Sequence, residues 1–156
     1  MAGQIDARMK ALGIELPKLA QPKIAKVQFY TMAPGMLVLS GQIPQWNGER
    51  KFVGKVGRDF STAQGQEAAR PSMLNVLAAA REALEGDLDR VEKVMKVTGF
   101  VNCTAEFTEL SEVVNGASEL LIDLFGEPGK HARTAVGVAS MPFGVAVEVE
   151  AMLLIR

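Results

Sequence analysis

At 156 residues, with 48% apolar and 22% charged side chains, the chain has the size and composition of one globular domain with a single core, not of a disordered segment. Lys and Arg number 17 against 18 Asp and Glu, a net charge of -1, and no dense basic run occurs, which argues against a nucleic-acid partner. No window approaches the roughly 18 apolar residues of a membrane span, the N-terminus lacks a signal-like apolar stretch, and the one cysteine, Cys103, cannot close an intrachain disulfide; the expected setting is the cytoplasm.

In chain order, Ile5, Met9 and Leu12 recur at helical spacing and predict a short amphipathic helix over residues 4–13. Pro17 and Pro22 break that pattern and mark a linker, so residues 1–22 are read as an N-terminal extension and 23–156 as the main domain. Residues 23–44 read as two strands joined at Ala33-Pro34-Gly35, and Asn47-Gly48 is a further turn. A long helix is expected over 61–85, burying Ala69, Met73, Val76, Leu77, Ala80 and Leu84, ending at Gly86, and kinked or delayed by Pro71. Val94, Val97 and Val101 predict a strand from Val91 to Asn102, with Cys103 read as an inert thiol on it. A second helix, about Thr108 to Phe125, would be capped by Thr108, closed by Gly126 and Pro128, and packed through Val113, Ala117, Leu120, Leu121 and Leu124. Two strands follow, Arg133–Val138 and Val145–Ile155, around a turn at Met141-Pro142-Phe143-Gly144.

The last strand has one face of Val145, Val147, Val149, Ala151, Leu153 and Ile155, and another that is apolar at both ends with Glu148 and Glu150 between. Two helices can cover only one side of such a sheet, so Met152 and Leu154 would face water unless a second copy covered them. The chain is therefore expected to be a homo-oligomer, with the glutamates near a subunit cleft.

For chemistry, the sequence has no HExxH, CxxC, P-loop or GxGxxG signature. Its one histidine, His131, reads as a solvated loop residue, and one His with one distant Cys is poor support for a metal, so no metal or cofactor is expected. The eight methionines read as core filler, and Trp46 as an aromatic packed on its turn. The remaining constellation is Arg133 with Glu148 and Glu150 on its expected hairpin neighbour. An arginine fork suits a carboxylate ligand, and a nearby glutamate could hold or deprotonate water. A plain salt bridge between the same residues is the equal alternative.

Ser40-Gly41-Gln42-Ile43-Pro44, the helix segment ending Asn75-Val76, and above all Ala132-Arg133-Thr134-Ala135-Val136, Met141-Pro142 and Val147-Glu148-Val149-Glu150-Ala151 resemble the RidA family of enamine/imine deaminases, formerly labelled endoribonuclease L-PSP. The resemblance runs from about residue 24 to the C-terminus. It implies an α+β fold, a mixed sheet backed by two long helices and similar to the small chorismate mutase fold, assembled as a homotrimer with sites in the clefts between subunits. By this resemblance Arg133 clamps the substrate carboxylate, Glu148 positions water, and Asn115 and Ser40 line the cleft. A covering tyrosine of the family is replaced near Val27, and a cysteine by Ala135. The implied activity is a 2-iminobutanoate/2-iminopropanoate deaminase-type hydrolysis of 2-imino acids, formed from enamines such as 2-aminoacrylate, to 2-keto acids and ammonia. The changes at Val27 and Ala135 leave a second reading open, a trimer that binds a small carboxylate metabolite or docks on a partner without turnover. Near-neutral charge and the lack of a His pair weigh against the ribonuclease label.

Overall fold

The computed structural model describes residues 3–21 and 25–156. Pro22, the start of the first expected strand and the boundary drawn between residues 22 and 23 lie outside the described residues. The elements are α1 (Gln4–Ala11), β1 (Tyr30–Ala33), β2 (Met36–Gln42), β3 (Gln45–Trp46), β4 (Glu49–Arg50), α2 (Thr62–Ala83), β5 (Val91–Asn102), α3 (Leu110–Phe125), β6 (Ala132–Val138) and β7 (Val147–Ile155). Five strands form one mixed sheet in the order β1-β2-β7-β5-β6, while β3 and β4 pair as a separate hairpin around Asn47-Gly48. Neighbours are antiparallel except β5 and β6, which run parallel. A parallel pair needs a crossover, and α3 supplies it. The α+β class expected from the sequence is the observed one.

Ser61 opens α2 with a capping box, its side chain accepting from the Gln64 N–H while Gln64 accepts from the Ser61 N–H. The helix begins at Thr62, ahead of Pro71, and runs through it, so the expected late start does not occur. The carbonyl that loses its partner to a proline at 71 is that of Glu67, four residues back and exposed, where water can satisfy it. Thr108 does not cap α3, which starts at Leu110 after Glu109. The Glu109 carboxylate instead accepts from Thr62 Oγ1 at 2.8 Å and ties the starts of the two helices together.

α2 and α3 lie side by side on one face of the sheet. Every apolar residue assigned to their inner faces is buried, from Ala69 to Leu84 and from Val113 to Leu124. Their approach is closest at Gly116, where a Cβ would overlap the Gln66 carbonyl oxygen, so only glycine fits. Between helices and sheet, β-strand register builds rows of side chains: Leu37, Leu153 and Val94 form one, and Leu39, Ala151 and Val97 the next.

Among the described residues, no helix or strand lies over the opposite face of the sheet. Val38, Met152 and Lys96 stand in one row there, and Met152 is 43% exposed. Met32 and Met95 are exposed as well, so part of the methionine set is surface and not core filler.

The first helix is docked, not trailing. Met9 and Ile14 are buried in the common core. The Asp89 carboxylate accepts from the Gln4 and Ile5 N–H groups at 2.9 and 2.8 Å, taking two of the unpaired donors at the start of α1. Partial burial opposes ionisation of Asp89, but the backbone N–H groups of Ile5 and Gln4 outweigh it and lower its pKa. A lowered folded-state pKa stabilises above the unfolded value and is lost as the pH falls. Among the described residues no helix is long and apolar enough to cross a membrane.

Asp89→Ala should therefore cost about 0.5–2 kcal/mol at neutral pH, the usual cost of a lost cap, and hasten proteolysis near Gly13. An unchanged denaturation midpoint and cleavage rate would show that α1 is held by its apolar contacts alone.

Candidate functional site

Arg133 stands at the edge of the sheet and ends a core row. Its register partner is Val97, so it continues the sequence Leu39, Ala151, Val97 toward the helix-covered side. An arginine at the end of an apolar row must find polar partners there, and α3 provides them. Ser111, Asn115 and Ser118 fall at i, i+4 and i+7, one stripe of the helix. Arg133 Nη1 donates to Asn115 Oδ1 at 2.8 Å and to Ser118 Oγ at 3.2 Å, and Nη2 donates to the Ser111 carbonyl at 3.2 Å.

A guanidinium has five N–H donors. Three are engaged, all by neutral groups; Nε–H and one Nη2–H carry no partner among the described residues. None of the ion pairs among those residues involves Arg133. The alternative of an internal salt bridge with Glu148 or Glu150 is thus overturned within one chain. The reason is topological. β6 is not the hairpin neighbour of β7, because β5 lies between them. The Arg133 side chain points to the helix side, whereas Glu148 sits in the row of Phe100 and Val136 on the open side.

Glu148 is half-buried. Burial first, and the charge of Glu150 second, raise its pKa above the ordinary glutamate value. Its carboxylate occupies the space above Gly41, where any Cβ would collide with Oε1. β2 is irregular there: Leu39 pairs with Ala151 but Gln42 with Val149, so Ser40 and Gly41 together span one residue of β7. Ser40 lies in that bulge, its Oγ donating to the Gln28 carbonyl at 2.5 Å. Glu150 is exposed on the same face.

The sequence-assigned residues therefore form two half-sites. Arg133, Asn115 and Ala135 share one side, with Ala135 opposite Gly99 and packed on the core. Ser40 and Glu148 share the other. Val27 precedes β1 and is exposed. Cys103 follows β5 and is half-buried, close to Gly137, not a strand residue sealed in the core. Trp46 is in β3 and more than a third exposed. No group of three His, Cys, Asp or Glu capable of holding a metal occurs among the described residues.

His131 is not a solvated loop residue. It is half-buried, with Nε2 at 2.9 Å from Ser118 Oγ and Nδ1 at 2.6 Å from the Gly129 carbonyl oxygen. Ser111 and Ser118 were not singled out from the sequence. A polar stripe interrupting an otherwise apolar α3 was the available signal.

Four likenesses bear on this arrangement. The family model "YjgF/chorismate mutase-like, putative endoribonuclease" matches residues 6–152. Protein TCP17 of Trypanosoma cruzi is 44% identical over 153 residues, covering 97% of this chain and 94% of that protein. The crystal structure of Atu1372 from Agrobacterium tumefaciens, of unknown function, superposes with a TM-score of 0.89 at 42% identity, over 97% of this chain and 94% of the other. A Shewanella oneidensis protein described in the same endoribonuclease terms gives 0.92 at 29% identity, over 97% and 99%. The chain belongs to the YjgF/chorismate mutase-like family, the one its sequence resembles under the name RidA. The family match begins inside α1.

A raised folded-state pKa means that the folded chain holds the Glu148 proton more tightly than the unfolded one. Glu148 then costs stability as the pH rises through its unfolded value toward its folded one. Glu148→Gln should raise the thermal midpoint at neutral pH and lose that advantage near pH 3.5, below the ordinary glutamate value of about 4.3. Equal midpoint differences at both pH values would contradict the assignment.

Proposed function

We propose that this protein hydrolyses 2-imino acids to 2-keto acids and ammonia in clefts between the subunits of a homotrimer. The observation that carries the reading is Arg133: held by neutral partners on three donors, it keeps its charge and two adjacent N–H groups for an incoming carboxylate. Such a fork fixes both position and orientation of the ligand. Asn115 accepts from Arg133 through Oδ1, which leaves its Nδ2 donors for the substrate.

Because Arg133 and Glu148 lie on opposite faces of one sheet, the reaction needs both halves from different chains. Arg133, Asn115 and Ala135 of one copy would meet Glu148 and Ser40 of the next. The uncovered row of Val38 and Met152 offers an apolar surface for that contact. In the cleft, Arg133 grips the carboxylate and Glu148 orients a water against the imine carbon. Its raised pKa suits it to accept a proton from that water. As the C–O bond forms, the C=N π bond opens and the nitrogen takes up the proton that Glu148 received; the adduct's hydroxyl proton then passes through Glu148 to the nitrogen as the C–N bond breaks, releasing ammonia and leaving the water oxygen as the keto oxygen. Backbone groups at residues 135–137 would orient the nitrogen.

The endoribonuclease description of the family fits this chain less well. The net charge is -1, and the proposed cleft carries Glu148 and Glu150, which repel a polyanion. The substrate is instead a small carboxylate-bearing imine, no cofactor is required, and the cytoplasm is the setting we assign.

The test uses imino acids generated in place by an amino-acid oxidase. Arg133→Ala should lower kcat/KM by about ten- to a hundredfold, the worth of a charge-assisted contact, and Glu148→Ala should also be impaired. Co-assembled Arg133→Ala and Glu148→Ala subunits should regain activity, since some clefts then hold one intact half from each. Full activity of the Arg133 variant would remove the clamp, and sedimentation as a 16.7 kDa monomer would remove the shared cleft. Saturable carboxylate binding without turnover would favour a metabolite-binding trimer.

A further inference from the structure

With a neutral imidazole, the hydrogen bonds around Ser118 have only one consistent set of directions. The Gly129 carbonyl can only accept, so His131 Nδ1, 2.6 Å away, carries the proton. Arg133 Nη1–H can only donate, so Ser118 Oγ accepts from it at 3.2 Å. The Ser118 hydroxyl hydrogen is then available for His131 Nε2, 2.9 Å away, which accepts in the neutral ring. Burial lowers the His131 pKa, the Gly129 carbonyl opposes this, and Arg133 adds to the lowering, all in keeping with a neutral imidazole.

We propose that Ser118 and His131 are positioning residues for the carboxylate grip of Arg133, forming a directed chain from Arg133 through Ser118 and His131 to the Gly129 carbonyl. The inference rests on the reading of Arg133 as a carboxylate clamp. Without His131, the Ser118 hydroxyl is free to turn its hydrogen toward the guanidinium and lose the Nη1 bond. With it, the hydroxyl hydrogen is drawn away and a lone pair faces Arg133. The two bonds on Nη1 then set the plane of the guanidinium, and with it the direction in which the free Nε–H and Nη2–H point. Ser118 is only 8% exposed, which shields the chain from competing water. The loop that places His131 is itself fixed: a Cβ at Gly129 would overlap the Leu121 carbonyl oxygen, so the turn lies flat on α3.

The experiment measures binding of 2-oxobutanoate by calorimetry, with kcat and KM for the corresponding imine, in wild type, Ser118→Ala, His131→Leu and His131→Gln. The glutamine carbonyl can replace Nε2 as acceptor; leucine cannot. Ser118→Ala and His131→Leu should weaken binding and raise KM by about three- to tenfold, the worth of one hydrogen bond, with kcat within about twofold. His131→Gln should recover most of the affinity. Equal losses in the Leu and Gln variants, or unchanged affinity in Ser118→Ala and His131→Leu, would overturn the chain. His131 is the only histidine, so its ¹⁵N shifts report the tautomer in the unmodified protein. A proton on Nδ1 supports the assignment and a proton on Nε2 overturns it, whether or not the variants fold. Wild type that binds 2-oxobutanoate without hydrolysing imines would end the catalytic reading and leave this one standing. Wild type that binds no carboxylate would end the clamp and its positioning chain together.

Discussion

Arg133 takes the last place in a row whose other members, Leu39, Ala151 and Val97, are buried under the helices. A charged group cannot stay in such a place without hydrogen-bonding partners. The placement of β5 between β7 and β6 creates the situation. It makes β6 an edge strand and points Arg133 under α3, where the side chains of Asn115 and Ser118 and the backbone carbonyl of Ser111 receive it. The same topology separates Arg133 from the acidic residues of β7. An arginine paired internally with Glu148 would be a structural ion pair; this one is held by neutral groups, and no carboxylate among the described residues neutralises it.

The other face obeys a complementary constraint. Glu148 is drawn into a partly buried position by a bulge in β2 and by the missing side chain of Gly41. Burial beside Glu150 makes its ionised form less favourable than in water. A carboxylate held in that state costs stability at neutral pH. The motif Ser40-Gly41-Gln42 thus has a physical content: a hydroxyl, an open space for a carboxylate, and a buried residue, Gln42, that restores the register.

Much of the architecture was legible. The strand Val91–Asn102 and the buried faces of both long helices follow from period alone, because β-branched runs and 3.6-residue spacing leave few alternatives. Two of the expectations that failed show why. Pro71 suggested a kink or a later start, but the helix starts at Thr62: the orphaned carbonyl lies on an exposed residue, and the packing of a twenty-two-residue helix outweighs one lost bond. Adjacent strands in sequence suggested a hairpin, whereas the parallel β5–β6 pair intervenes; chain order is only a prior for pairing. Arg133, Asn115, Ser40 and Glu148 were recognisable as residues, but which faces they occupy was not, since that depends on strand order. Ser118 and His131 escaped because a serine in a helix and a histidine in a Gly-Lys-His turn read as surface until the turn is seen folded against the helix.

The cap on α1 has a further consequence for how the chain is made. The eight residues of α1 are too few to hold a helix alone in water, and the carboxylate that receives its first N–H groups belongs to Asp89, more than eighty positions later. Its apolar contacts await α3, later still. On the ribosome α1 is therefore made well before the groups that hold it and settles late, and the nascent chain must carry Met9 and Ile14 unburied until most of the sheet and both long helices have emerged.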